Sequence, residues 1–357
     1  MKHSSAPPAS FSLLCQLVNP YIPSGQLVLQ TVDWRSLLKM ADLTHVLPEL
    51  YQGLLRHQLF ASAPSEIANT LTELYAFLLL RSKLVKAQCD DITSAFNATG
   101  IIPVWLKGAA LLQQSDWHSC ARVMNDIDLW VPDPAQHTLA ISILNKLGYI
   151  NKQQHELWEE SHHFSPFFHP KKVSTVELHK HVIRPALSPL LPNQICAAAI
   201  EYQQLQNLHF GVLSLPHRIT QSFIQCSLMA SPALDTGFIR LMKVVDLLRL
   251  MHTAGTVALP LDLLQTLAKH PEWQNCAAHF THVLAQHFAI ANPLPPSDSY
   301  QLKLYALLSG EQSGKTVVRK IALFKKPATP LRYILTSPRH IWHGIKARLR
   351  LLIKGKF

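Results

Sequence analysis

No acidic residue follows Glu311, although twelve lysines and arginines lie between Lys315 and Lys356. Set against a formal net charge of +11 for the whole chain, those twelve bases leave residues 1–314 at −1. The body of the protein is therefore close to neutral, and any attraction to nucleic acid or an anionic surface belongs to the tail. Cysteines are few and scattered, at positions 15, 89, 120, 196, 226 and 276, with no CxxC pair. That spacing excludes a short-range disulfide framework and reads as reduced thiols in a cytoplasmic protein. No run of 18 apolar residues exists to span a membrane. The opening stretch MKHSSAPPASFSLLCQLVNPYIP has one early lysine and an apolar segment cut by Asn19 and Pro20, which is not the make-up of a signal peptide. There is no internal repeat and no HExxH spacing.

What is present is length and apolar content: 357 residues, 48% hydrophobic, suffice for two or three packed units. Residues 1–98 read as a mainly helical N-terminal region. Asp33 is placed to cap a helix carrying Trp34, Leu37, Leu38 and Ala41 on one side, Pro48 marks a restart, and Ser65-Glu66 open a longer helix that Gly100 ends. Over 99–185 the pattern changes to a compact α/β core. Ile101–Leu106, short and partly β-branched between Gly100 and Gly108, predicts a buried strand. GAALLQQSD predicts a short helix, DIDLWV a second strand, and AQHTLAISILNKLGY a helix ending at Gly148. HHFSPFFHP and VSTVELHKHV predict a hairpin turning at Lys171-Lys172. Residues 186–310 read as a helical C-terminal domain, with IRLMKVVDLLRLMHTAG the clearest segment, and 311–357 as a basic tail with an amphipathic helix, HIWHGIKARLRLLIKGKF. The expected class is α+β, a small mixed sheet flanked by helical regions.

Alternation along DIDLWV places Asp126, Asp128 and Trp130 on one face and Ile127, Leu129 and Val131 on the core face. Two carboxylates about 7 Å apart, two rises of roughly 3.3 Å, repel each other unless a cation lies between them. Hard divalent ions are held this way, by a few carboxylates together with substrate phosphates. In VSTVELHKHV the same alternation sets Glu177, with Thr175, His179 and His181, opposite the core residues Val176 and Leu178. An adjacent strand would bring Glu177 beside the pair, and three carboxylates can hold one or two metals. Upstream, Lys107 offers a point charge, Gly108 lets backbone amides approach a phosphate, and Arg122 offers a guanidinium fork.

Each of these residues also has a plainer reading. The two aspartates and Glu177 could be solvated strand residues, Lys107 an ordinary strand-end lysine, and Arg122 a partner of Asp126 or Asp128. Histidines 162, 163, 169, 179 and 181 cluster around the hairpin and make a zinc or manganese site conceivable, with His179 nearest the acids. Asp246, an acid in an apolar helix, calls for a structural salt bridge, and Trp105 and Trp117 for packing. The basic C-terminal helix suits an anionic membrane surface or an acceptor; its sparse aromatics do not favour nucleic acid.

Taken together, LKGxxL at 106–111, RxMxDIDLxV at 122–131 and VELH at 176–179 resemble the uncharacterised bacterial nucleotidyltransferase family of the DNA polymerase beta superfamily. The helical lead-in and RLMKVVDLLRL resemble that family's flanks, extending the likeness over roughly 30–255. The resemblance implies Mg2+ (or Mn2+) on Asp126, Asp128 and Glu177, a phosphate-binding element at Lys107 and Gly108, and Arg122 as the arginine before the acids. It implies transfer of a nucleoside monophosphate from an NTP such as ATP to an unidentified acceptor. The glycine-serine phosphate loop usual in the superfamily is here Lys107-Gly108-Ala109. Two alternatives stand beside this reading: a catalytically silent nucleotide-binding or scaffold protein of the same fold, and a toxin-type transferase acting on tRNA or protein.

Overall fold

The computed structural model describes residues 9–28, 31–114, 121–151, 161–229 and 241–291, together with Ile353. The proline break near 293, the linker after it, the basic terminal helix expected at 340–357 except Ile353, and Trp117 lie outside the described residues. By packing, the chain forms two compact units, one of residues 1–77, 230–245 and 275–357, the other of residues 78–229 and 246–274.

The first unit is helical. It contains α1 (Ala9–Val18), α2 (Trp34–Leu43), α3 (Leu47–Arg56) and the start of α4 (Ser65–Asn97). Asp33 caps α2 as expected, its carboxylate accepting from the Ser36 backbone N–H at 3.1 Å and from the Ser36 hydroxyl at 2.6 Å. Pro48 lies in the first turn of α3, where its missing N–H has no helical partner to lose. Phe11, Leu14, Leu17, Leu37, Leu38, Leu50 and Leu54 are buried among these helices. Arg56 of α3 donates to the carbonyls of Leu17 and Asn19 at 2.9 and 2.8 Å, satisfying acceptors that the end of α1 leaves open.

The second unit holds the sheet. Its elements are the remainder of α4, β1 (Val104–Trp105), α5 (Lys107–Leu112), β2 (Asp126–Trp130), α6 (His137–Lys146), β3 (Ile150–Asn151), β4 (Phe167–Phe168) and β5 (Thr175–His179). There follow α7 (Asn193–Ala198), β6 (Ile200–Leu205), β7 (Leu208–Leu213), α8 (Leu215–Ser227), most of α9 (Leu241–Thr253), α10 (Leu261–Ala268) and the start of α11 (Pro271–Phe288). The described strands make one mixed seven-stranded sheet in the order β3-β4-β5-β2-β1-β7-β6, so the chain is α+β as expected. β2 runs parallel to β5 and antiparallel to β1, while β1 runs parallel to β7. β4 and β5 form the expected hairpin.

Gly100 ends α4 in the left-handed region, at φ +79, with Ile101 N–H reaching back to the Phe96 carbonyl at 3.1 Å and Gly100 N–H to Asn97 at 3.0 Å. This turn delivers the chain into β1. Beneath the sheet, Val85, Cys89, Ile92 and Phe96 of α4 and Ala140, Ile143 and Leu144 of α6 pack on Ile127, Leu129, Val176 and Leu178. Trp105 belongs to the same core, a packing residue as expected.

One stretch departs from the sequence reading. Residues 190–310 read as helical throughout, but 200–213 is the β6–β7 hairpin, which closes the sheet beyond β1. Its two-residue turn places Gln206 at φ +56, a conformation that hairpins usually assign to Gly, Asn or Asp. Asn207, the turn's second residue, is the one turn former there, and Ala197–Ala199 just before the hairpin reads as helix.

Candidate functional site

β2 and β5 lie side by side in exact parallel register, pairing Asp126 with Thr175, Asp128 with Glu177 and Trp130 with His179. Because successive side chains alternate, Ile127, Leu129, Val176 and Leu178 enter the core, and Asp126, Asp128, Trp130, Glu177 and His179 share the other face. The structure thus sets Glu177 directly beside Asp128, with Asp126 one pleat away. Two side chains from α4, unmarked in the sequence, fix this pairing at its start. Arg81 donates to the Met124 carbonyl at 2.7 Å and the Val173 carbonyl at 2.9 Å, bridging the residues that lead into β2 and β5. Gln88 holds Ser174 on both sides, giving to its carbonyl at 2.9 Å and accepting from its N–H at 3.3 Å.

Lys107 opens α5 with φ +49, a left-handed conformation that costs a non-glycine residue on the order of 1–2 kcal/mol. From there its ammonium reaches Asp128 Oδ1 at 2.5 Å. Burial alone would lower the lysine pKa, but the facing carboxylates of Asp128, Glu177 and Asp126 raise it instead. Asp128 is 4% exposed. Burial pushes its carboxyl up, yet Lys107 and the His179 hydrogen bond outweigh burial and hold it well below the usual carboxylate range. Asp126 moves the other way, raised by burial and by the charge on Asp128. The two aspartates are therefore not equivalent: Asp128 is the fixed anion and Asp126 the more readily protonated neighbour.

Gly108 lies against Arg122 and Met124. A Cβ there would strike the Arg122 guanidinium and come within 2.7 Å of Met124 Sδ, so the glycine makes room for Arg122. The fork of Arg122 is itself engaged. Nε and Nη2 donate to Asp246 Oδ1 and Oδ2 at 3.3 and 2.6 Å, and both side chains are buried. The fork thus joins Asp246, and the guanidinium charge also acts on Asp126, lowering its pKa against the larger effect of burial. Asp246 does have the salt-bridge partner its apolar helix required.

The histidines divide. His162, His163 and His179 come together, with ring centroids 4.6 Å apart for the first two and 5.0 and 5.5 Å from each to His179. His163 bridges to His179 across the backbone, which brings residues 162–164 against the end of β5. His179 is fully buried, with Nε2 2.9 Å from Asp128 Oδ1 and Nδ1 3.0 Å from the His181 carbonyl oxygen. Burial and neighbouring positive charge lower the pKa of all three, to about 2 for His162 and about 4 for His163. His169 stands apart, against Tyr149, and His181 pairs with Asn193. Ligand atoms of Asp128, Glu177 and His179 all lie within 4.8 Å of one another, close enough to converge on one cation. Asp126 is not part of that group, although it lies on the same face.

Among the described residues no helix is long and apolar enough to cross a membrane. The family model for an uncharacterised nucleotidyltransferase matches residues 30–289, well over half of the chain, and the protein belongs to that family. No curated protein and no solved structure matches the chain.

Proposed function

We propose that this member of the nucleotidyltransferase family moves a nucleoside monophosphate from an NTP to an acceptor hydroxyl or comparable nucleophile, with a divalent cation, Mg2+ or Mn2+, at Asp126, Asp128 and Glu177. The observation that carries the reading is the in-register pairing of Asp128 with Glu177 on the polar face of β2 and β5, in a chain of this family. The order of LKGxxL, RxMxDIDLxV and VELH supports placing the family in the DNA polymerase beta superfamily. The donor set suits a divalent ion, since carboxylates converge on one face and Asp128 is held ionised.

A bound cation would neutralise phosphate charge and favour in-line displacement. The chain's own residues do the remainder. Lys107 supplies countercharge to the triphosphate from the edge of the same carboxylate cluster. Asp128 stays anionic in a buried position, and the Arg122–Asp246 pair fixes the segment that leads into β2. The acceptor oxygen bonds to the α-phosphorus as the bond from that phosphorus to the β-phosphate bridging oxygen breaks. Pyrophosphate leaves, and the acceptor proton passes to the Glu177 carboxylate. Buried Cys15, Cys89 and Cys196 are unpaired thiols, which supports a reducing, cytoplasmic location.

One observation favours a second reading, a silent nucleotide-binding protein. The Lys107 ammonium already neutralises Asp128, and the serine of the superfamily's phosphate loop is missing. The deciding experiment incubates wild type and Asp126→Ala/Asp128→Ala with α-labelled NTPs, Mg2+ or Mn2+ and cell extract. Label transfer by wild type alone supports the transferase, and mass spectrometry of the labelled product identifies the acceptor. Nucleotide binding without transfer by either protein establishes the silent reading.

A further inference from the structure

We infer that the cation site is a mixed nitrogen–oxygen site in which His179 Nε2 is a ligand beside Asp128 and Glu177, and that it takes Mn2+ or a similar borderline ion in preference to Mg2+. The inference rests on the metal site of the proposed transferase and not on the transfer reaction itself.

The argument begins with the orientation of the ring. His179 Nδ1 lies 3.0 Å from the His181 carbonyl oxygen and Nε2 2.9 Å from Asp128 Oδ1, so the ring stands between two acceptors. Nε2 faces the carboxylates, and a cation bound there would displace the proton it shares with Asp128 while Nδ1–H stays on the carbonyl. A histidine that donates its other N–H to a backbone carbonyl is the usual arrangement for a metal ligand. His163 is held in the same manner, with Nδ1 2.7 Å from the Phe164 carbonyl and Nε2 3.7 Å from Glu177 Oε2. Two neighbouring imidazoles therefore present Nε2 to the carboxylates of one cluster, each oriented by a backbone oxygen.

Spacing is the second support. His179 Nε2 and Asp128 Oδ1 are 2.9 Å apart, and all three ligand atoms fall within 4.8 Å. An ion bound at about 2.0–2.2 Å to nitrogen and oxygen needs ligand atoms within roughly 4 Å of each other, so the widest pair would draw together on binding. Nε2 and a carboxylate oxygen are both acceptors once Nδ1 holds the proton, and a cation between them makes the contact favourable. In the metal-free protein a proton on Nε2 makes the contact instead, and metal binding would release it.

The third support is the surroundings. His162 and His163 pack edge-on or tilted against the His179 ring and restrict its rotation. Such enclosure is what a preoriented ligand requires. Imidazole is a donor for first-row transition ions, of which Mn2+ binds most weakly, whereas Mg2+ dehydrates reluctantly and keeps an oxygen shell with several waters.

The test uses full-length protein freed of metal with a chelator and then titrated with Mn2+. Electron spin echo spectroscopy reads directly bound 14N, and calorimetry reads affinity for Mn2+ and Mg2+. Wild type is expected to show imidazole nitrogen coupling and to bind Mn2+ at least about tenfold more tightly than Mg2+. His179→Gln is expected to lose the coupling and to weaken Mn2+ binding by about tenfold or more. His163→Gln is expected to retain the coupling. Because His179 is buried, circular dichroism verifies the fold of its variant, while the wild-type spectrum stands without any variant. Mn2+ bound without nitrogen coupling, or coupling that survives in His179→Gln, overturns the inference and leaves transfer through a carboxylate-only site intact. Nitrogen coupling in a protein that transfers no nucleotide supports the inference and sinks the transferase instead.

Discussion

Asp246→Ala leaves the Arg122 guanidinium buried with its carboxylate partner gone, and the size of the penalty follows from the geometry. Both side chains are under a tenth exposed and two hydrogen bonds join them, at 2.6 and 3.3 Å. Removing one partner of such a pair costs about 3–5 kcal/mol, because the remaining charge has no water to return to. Against a total stability of about 5–15 kcal/mol, that is enough to unfold a large share of the protein near its working temperature. Replacing both residues, as Arg122→Met/Asp246→Leu, removes charge and countercharge together and should fall within about 1 kcal/mol of wild type. The cycle is completed by Arg122→Met, which strands Asp246 and should cost nearly as much as Asp246→Ala. Urea unfolding followed by circular dichroism gives the four stabilities, and their non-additivity gives the coupling energy. A coupling below about 0.5 kcal/mol, with Arg122→Met folding normally but losing triphosphate affinity, would refute the structural role assigned to the pair and return Arg122 to the phosphates.

Lys107→Met removes the ammonium that competes for Asp128, so Mn2+ affinity measured by calorimetry should rise while nucleotide transfer falls by roughly two orders of magnitude; weaker Mn2+ binding would contradict the competition. Gly108→Ala forces a methyl group against Arg122 and Met124 and should cost about 1–3 kcal/mol in thermal unfolding. An unchanged melting temperature would show that the gap beside Gly108 relaxes freely. His57 is 2% exposed, and burial together with Arg56 lowers its pKa below the ordinary value of 6.5. The unfolded chain therefore takes up a proton first as pH falls, so the stability His57 contributes is present above about 6.5 and is lost below it. His57→Gln should lose less stability than wild type between pH 7.5 and 5.5, and parallel losses in the two proteins would exclude this role.

The parts of the site that could be read in the sequence were those held within one short run. DIDLW and TVELH each carry their alternation in five residues, and that alone separates acids from core residues. The nucleotidyltransferase motifs likewise lie within a single turn or strand. What could not be read depended on partners far along the chain. Arg122 and Asp246 are 124 positions apart, and although Asp246 showed that it needed a counter-ion, nothing nearby said which. Arg81 and Gln88 look like ordinary polar positions on a long helix until β5 is placed beside them. The hairpin at 200–213 was hidden by a turn residue, Gln206, that adopts a glycine-like backbone without being glycine.

The sharing of β2 and β5 between core and site also limits how this protein can change. A single inserted or deleted residue within either strand would exchange the two faces beyond it, driving Asp128 or Glu177 into the apolar layer and turning Ile127 or Val176 outward. Length variation is thus barred from the interior of these strands, where chemistry can be abandoned only by replacing side chains. Any descendant that has lost activity should still carry the same backbone spacing between its former acids, leaving a readable trace of the site after its function is gone.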